Sequence, residues 1–435
     1  MKIISVLGYF VSLYPLCLIA IWLVGAVIFR LRWENPKRPA LTEHPLVTII
    51  VPAHNEEEVI YETVHHLREL SYPNYEVIVV NDGSTDNTRR ILDYLLADNS
   101  SWLRVMHLNP NGGKAMALNW ATLSAKGDYI VVMDADCFLD KDALQFLVAH
   151  FLSSDKVGAI TGNPRVRNRT TLLGKIQVGE YSYIIGLIKR AQRVYGKILT
   201  VSGAIAAYRK KALFDVGLFD PDTVTEDIDI TWKLHRRFWD VRYEPRALCW
   251  VLVPETIKGL WGQRVRWAQG GIEVVRKHVG ILFKARYRRL WPVYIEYVLG
   301  TLWAHAFAFI FLFLSANWIA SYLAWSYSYP SFVETFRATS HHMIPGWTGT
   351  RSVIAMLCFG QFLVSLVMDF RYEKQISVAK IYFWIIWYPA IYWVINALAC
   401  ISAVYRLLTR RSKICVAWKS PDRGIHTLRS SIGRN

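Results

Sequence analysis

Apolar and polar positions divide the chain into stretches of three kinds. Residues 5–29 are almost continuously apolar, with only Lys2 ahead and a basic cluster (Arg30, Arg32, Lys37, Arg38) behind. A bilayer core of about 30 Å takes roughly 20 apolar residues in helix to cross, and this stretch is long enough. A cleaved leader carries its charge in front of a shorter apolar run. Here the charge follows, so the pattern predicts a retained anchor helix with the next unit inside the cell. Three later apolar stretches, near 293–325, 352–368 and 376–405, predict further spans.

From about Pro45 to Trp250 short β-branched runs alternate with helical patterns. Strands are expected at Val47–Pro52, Glu76–Asn81, Arg104–Leu108 and Tyr129–Asp134, and helices at Glu56–Leu70, Thr85–Leu96 and Gly113–Ala125. Such alternation predicts an α/β sheet covered by helices. Ligands of these sheets bind beyond the carboxyl ends of the strands. The residues there are Ala53–Glu57, Asp82–Gly83 and Asp134–Asp136, all polar or acidic apart from Ala53, Ala135 and Gly83. Between Pro254 and Leu290, Trp261, Trp267 and Ile272 are interleaved with Arg and Lys, the pattern of amphipathic helices at a membrane interface. The plan is therefore an anchor (1–32), a catalytic unit (45–253), interfacial helices (254–291), C-terminal membrane helices (292–406) and a basic tail (407–435).

Composition supports that plan. A hydrophobic fraction of 53% with 18 Trp in 435 residues is too apolar for one ordinary soluble domain. The net charge of +17 would suit a nucleic-acid binder, but no such motif is present, and the excess lies beside the apolar stretches. Juxtamembrane basic residues fit the positive-inside rule and attraction to anionic lipid. The partner is a lipid bilayer, with no nucleic acid. One span before the catalytic unit and three after it would leave the tail outside, whereas its Lys and Arg favour the inside. Pro389 in the last stretch, or an interfacial start to 293–325, would reconcile the two. The six cysteines form no CxxC pair and imply neither a disulfide framework nor a zinc site. The sequons at Asn99 and Asn168 fall in the inner unit and read as chance. Arg165, Arg167 and Arg169 read as a solvated face, and His341-His342 as an external loop.

Four constellations carry candidate chemistry. Asp82, before Gly83 at a strand end, can accept hydrogen bonds from a nucleoside, though Asp-Gly is also an ordinary turn. Asp134-Ala135-Asp136 closes the run Tyr129–Met133, and two carboxylates at i and i+2 can reach a divalent cation on a diphosphate. Thr225-Glu226-Asp227 precedes a helix expected over Ile228–Trp239. It is either a helix cap with acids in the first turn or a general base, Asp227, beside Glu226. Gln263, Arg266 and Trp267 stand at i, i+3 and i+4 on one helix face. There Arg266 could neutralise a departing diphosphate and Trp267 could stack on a sugar ring, or both could anchor at an interface.

In this order the four sets resemble the signature of the processive family-2 glycosyltransferases of GT-A fold, the group of cellulose, chitin and hyaluronan synthases. Longer stretches, Gly162–Arg165, Gly174–Tyr181, Ile184–Arg190, Glu244–Trp250, Gly259–Gly271 and Ser420–Gly424, are similar to its bacterial poly-β-1,6-N-acetyl-D-glucosamine synthase branch. The resemblance implies an inverting, processive polymerase of UDP-N-acetylglucosamine making a β-1,6-linked biofilm polysaccharide at the bacterial inner membrane, multi-pass with a cytoplasmic catalytic domain. It implies Asp227 and Arg266 as catalytic residues and Asp136 on Mg²⁺ (or Mn²⁺). Asn55, Glu57, Asp82, Lys114, Asp134, Ser202, Gly203, Glu226, Gln263 and Trp267 would bind donor or acceptor. It also implies a small two-helix membrane subunit under cyclic di-GMP control as partner to the enzyme and its growing chain. A chitin- or hyaluronan-like product, a sugar transferase acting on a lipid carrier, and a scaffold without catalysis are the alternatives.

Overall fold

The computed structural model describes residues 2–34, 39–328, 347–373, 383–385 and 388–409. Helix α1 (Lys2–Trp33) leads into an eight-stranded sheet. Its strands are β1 (Val47–Ala53), β2 (Tyr75–Asp82), β3 (Leu103–Leu108), β4 (Tyr129–Met133), β5 (Phe138–Leu139), β6 (Val157–Val166), β7 (Ile205–Arg209) and β8 (Asp240–Val251). The order is β3-β2-β1-β4-β7-β6-β8-β5. The first four strands pair in parallel, and β7 is antiparallel to both β4 and β6.

Helices cover both faces: α2 (Ile60–His66), α3 (Thr88–Asn99), α4 (Lys114–Ser124), α5 (Ala143–Ser153), α6 (Leu172–Tyr181), α7 (Lys189–Tyr195), α8 (Lys210–Asp215) and α9 (Glu226–Arg236). Two-sided cover is why the strands read as unbroken apolar runs. Ile49, Val51, Val77 and Val79 join the core under α2, α3 and α5, while Ile50, Ile78 and Val80 join the one under α4 and α8. Full burial of each such side chain stabilises by about 1.5–3 kcal/mol. The four strands expected in the first half all form. The helix expected from Glu56 begins only at Ile60, after a turn in which the Val59 and Ile60 N–H groups both donate to the Glu56 carbonyl; Asn55 before it has φ 56, a left-handed conformation that Asn tolerates better than most residues.

After the sheet come α10 (Ile257–Lys277), α11 (Trp291–Ser328), α12 (Trp347–Asp369) and α13 (Tyr388–Thr409). Among the described residues two segments, Ile3–Trp33 and Ala285–Leu323, are long and apolar enough to cross a membrane. They expose large apolar side chains such as Val24, Leu31, Phe311 and Leu312. His341-His342, Pro389's side chain and the tail from residue 410 lie outside what is described.

The arginines of 165–169 correct the expectation of a solvated face. Arg165 and Arg169 are buried and only Arg167 is partly exposed. Arg165 on β6 and Arg190 on α7 converge on Asp369 at the end of α12, with Arg190 Nη1 at 2.7 Å. Arg190 also binds Glu34 after α1, at 2.9 Å, and Arg165 and Arg169 bind Glu373. The carboxylates come from residues next to apolar helices, so the network docks those helices onto the sheet. Asn168 is likewise buried, donating to the Val253 carbonyl and accepting its N–H, as a chance sequon can be.

Candidate active site

The acidic residues sit where the strands end. Asp82 closes β2, and its two carboxylate oxygens accept the N–H groups of Gly112 (2.9 Å) and Gly113 (2.8 Å). Gly113 has φ 88, a conformation that favours glycine. Its turn launches α4 with Lys114 at the first position. The Lys114 ammonium pairs with Asp134 at 2.7 Å and Glu226 at 3.0 Å, so it ties the end of β4 to the start of α9. Burial works against its charge, but Asp134 and Glu226 outweigh that and hold its pKa above the usual lysine range. Glu226 is held below the usual carboxylate range, burial being offset chiefly by Lys114.

Asp136 points inward from the turn after β4. Ligand atoms of Asp134, Asp136 and Cys137 lie within 4.8 Å of one another. Burial, then the charge of Asp134, pushes Asp136 up to about 7. A buried carboxylate with a second one beside it is what a divalent cation would relieve, so the donor set fits Mg²⁺ or Mn²⁺. Asp227 opens α9. Its Oδ2 accepts the Gly203 N–H at 3.1 Å and its Oδ1 the Ile228 N–H at 2.9 Å. The helix N-terminus favours its charge, yet burial and Glu226 push it up to about 6. It is still largely ionised at neutral pH and more basic than an ordinary aspartate, as a general base should be.

Helix α10 crosses above these acids. Thr256 caps it by accepting the Gly259 N–H. Gly270 permits the crossing, since a Cβ there would lie 2.1 Å from Thr225 Oγ1. The helix presents Gln263, Arg266 and Trp267 to the cavity. Arg264, which sequence reasoning passed over, is buried against Glu180 of α6, and its guanidinium lies 4.3 Å from the Trp267 ring centroid.

One cavity of about 750 Å³ gathers these groups. Lys114, Asp134 and Asp136 line it from the β4 side, and Ser202, Gly203, Glu226 and Asp227 from the α9 side. Gln263, Arg266 and Trp267 line it from α10. The cavity continues to Tyr14 and Trp22 of α1, Glu296 and Trp303 of α11, and Asn396 of α13. Three expected residues lie outside its lining. Asp82 braces the 112–113 turn, Asn55 Oδ1 accepts the Thr85 N–H, and Glu57 accepts from Asn87, so the last two order the 84–87 loop. Lys189 also lines the cavity. Only its place in the Ile184–Arg190 stretch pointed to it.

A mixed sheet with paired acids beyond β4 and a second acid set opening α9 defines a glycosyltransferase of GT-A fold. The family described as Glycosyl transferase family 2 matches residues 48–217. A solved mannosyltransferase from Pyrobaculum calidifontis, in complex with GDP-Man and Mn²⁺, matches with a TM-score of 0.58. The match covers 85% of this chain and 100% of that one at 20% identity, a likeness of fold. The poly-β-1,6-N-acetyl-D-glucosamine synthase of Staphylococcus epidermidis is 39% identical over 424 residues, 95% of this chain and 98% of its own. The synthase of Staphylococcus aureus is 38% identical over 421 residues, with the same coverage of both chains. The chain belongs to this poly-β-1,6-N-acetyl-D-glucosamine synthase family of glycosyltransferases.

Proposed function

We propose that the protein polymerises N-acetylglucosamine from UDP-N-acetylglucosamine into a β-1,6-linked polysaccharide at the cytoplasmic face of a bacterial inner membrane, and passes the chain across it. The observation that carries this reading is the single cavity running from Asp136 and Asp227 to α1, α11 and α13. Residues 45–253 form the catalytic unit, 254–291 close over it at the interface, and the apolar helices on either side hold it in the bilayer.

In the reaction Asp227 takes the proton of the acceptor's C6 hydroxyl. The oxygen bonds to the anomeric carbon of the donor while the bond to UDP breaks on the opposite side. An α-linked donor thus gives a β-linkage in one displacement. Lys114 and Arg266 face the charge that builds on the departing diphosphate, and preorganised electrostatics of this kind is usually the largest catalytic contribution. Asp136, with Asp134 beside it, would hold a divalent cation, Mg²⁺ or Mn²⁺, which adds charge neutralisation at the diphosphate. Ser202 and Gly203 border the acceptor, Gln263 and Trp267 close over it, and Asp82 shapes the nucleotide side through the Gly112–Gly113 turn. Asn55 and Glu57 order the uridine-side loop. A small two-helix membrane subunit under cyclic di-GMP control, expected from the family resemblance, would complete the enclosure of the product chain.

The test is to supply the purified protein, in lipid, with each UDP-sugar in turn and Mg²⁺. A β-1,6-linked N-acetylglucosamine chain formed from UDP-N-acetylglucosamine is expected. A β-1,4 linkage, or transfer of a single sugar to lipid, would overturn the reading.

A further inference from the structure

Lys189 is a buried, cavity-lining titratable group to which the proposed reaction gives no part. It opens α7, directly after the seven-residue π-helical turn Ser182–Ile188, and is 6% exposed. Its ammonium donates to Thr161 Oγ1 at 3.0 Å and pairs with no described carboxylate. An ammonium has three N–H donors, so two remain for the cavity that Lys189 lines.

Thr161, itself fully buried, accepts a second bond through the same oxygen, from the Ser202 N–H at 2.9 Å. The next residue, Gly203, donates its N–H to Asp227 Oδ2. A continuous path of short contacts thus runs from the Lys189 ammonium through Thr161 and the 202–203 loop to the base. The charged and titratable groups facing Asp227 are Glu226 on its own helix, Lys114 from α4, Lys189 from α7 and the Tyr208 hydroxyl of β7, while Arg266 from α10 faces Glu226. Lys114 is already divided between Asp134 and Glu226. Lys189 is the nearby lysine with no ion pair of its own.

We propose that Lys189 is a positioning residue for the base: through Thr161 it holds the Ser202–Gly203 loop against Asp227, and its positive charge keeps that carboxylate ionised while the acceptor hydroxyl approaches. Burial lowers the lysine's own pKa to about 7, with Asp227 as the opposing influence, so the ammonium is charged below that pH, across the range of the acid limb. The inference rests on Asp227 being the base.

The experiment uses the full chain in lipid and follows kcat/KM for polymerisation against pH, together with UDP binding. Removing a positive charge beside a carboxylate raises its pKa. Lys189→Met is therefore expected to move the acid limb up by about one pH unit and lower kcat, with UDP binding unchanged. Lys189→Arg is expected to keep the wild-type limb, because the charge remains. Thr161→Val is expected to lower kcat and leave the limb in place, because it cuts the tether alone. A Lys189→Met enzyme with the wild-type limb would overturn the proposal. Should that variant not fold, wild-type kcat in Thr161→Val, or a displaced limb in Lys189→Arg, would overturn it instead. Wild-type turnover in Asp227→Asn is a separate failure, that of the base assignment itself.

Discussion

Two of the buried charge clusters among the described residues, both built from acidic and basic side chains, are completed differently. Around Asp369, three carboxylates (Glu34, Asp369, Glu373) meet four guanidinium groups (Arg165, Arg169, Arg190, Arg371). Every carboxylate has at least two cationic partners there, and the cluster is closed. Around the cavity, Asp134, Asp136, Glu226 and Asp227 face Lys114, Lys189 and Arg266, and the lysine that makes ion pairs is shared between two acids. Asp136 and Asp227 are correspondingly pushed up towards neutrality. The closed cluster fixes geometry. The open one keeps unbalanced acids that, in the proposed function, a cation and donor would complete, so that the site gains from binding rather than from folding.

Asp227→Asn should separate the two clusters most strongly. A positioned general base contributes about 10²–10⁴-fold, so polymerisation measured by UDP release should fall by at least that range while UDP binding persists. The stability sign is opposite to the usual loss. A carboxylate whose pKa is raised to about 6 on folding, from an ordinary 3.8, stabilises fully only below the ordinary value and loses that contribution as pH rises through about 6. At neutral pH its removal should leave thermal unfolding unchanged or shift it upward. A lowered unfolding temperature would show that Asp227 belongs to the closed kind of cluster.

Next in size is Arg190→Met. Removing one partner of a buried ion network leaves charge uncompensated and costs about 3–5 kcal/mol. Thermal unfolding in detergent should move down, with α12 becoming cleavable by protease. Adding Asp369→Leu should restore part of the loss, because an apolar pair of similar volume carries no buried charge. A double variant less stable than the single one would mean that Asp369 does more than answer the arginines.

The pH profile gives a smaller, graded effect. With the base near 6, kcat/KM should fall about tenfold per unit below that pH and level off above it. A limb near 4 would mean that a bound cation restores an ordinary aspartate in the free enzyme.

These two clusters also show what could be read before the fold was seen. Strands β1 to β4 and the acids after them were legible because each is a local pattern: an apolar run long enough for a buried strand, then a turn and a carboxylate. Asp134, Asp136, Glu226 and Asp227 were expected in one site and share one cavity. The closed cluster was illegible. Arg165 finds Asp369 across 204 residues and Arg190 finds it across 179, and a run of alternating arginines looks the same whether it meets water or a distant helix end. Asn55, Glu57 and Asp82 were identified as important, but their hydrogen bonds go to neighbouring loops. A sequence can mark such residues without revealing what each one touches.

The pair Glu180 and Arg264 lies between the two kinds of cluster and should show the smallest effect. It is buried like the docking network, but Glu180 has Arg264 as its one cationic partner among the described residues, and Arg264 also lies over Trp267, a wall of the cavity. Replacing both as Glu180→Gln with Arg264→Met removes the charges together, so no lone buried ion is left and the fold should survive. What is lost is the cation over the indole, worth about 0.5–2 kcal/mol, and with it the fixed orientation of the ring. KM for the acceptor chain should rise about fivefold, the equivalent of roughly 1 kcal/mol, with kcat little changed, since Asp227 is untouched. If KM holds and kcat falls instead, Trp267 acts on the transition state and not on chain binding, and the pair belongs with the open cluster.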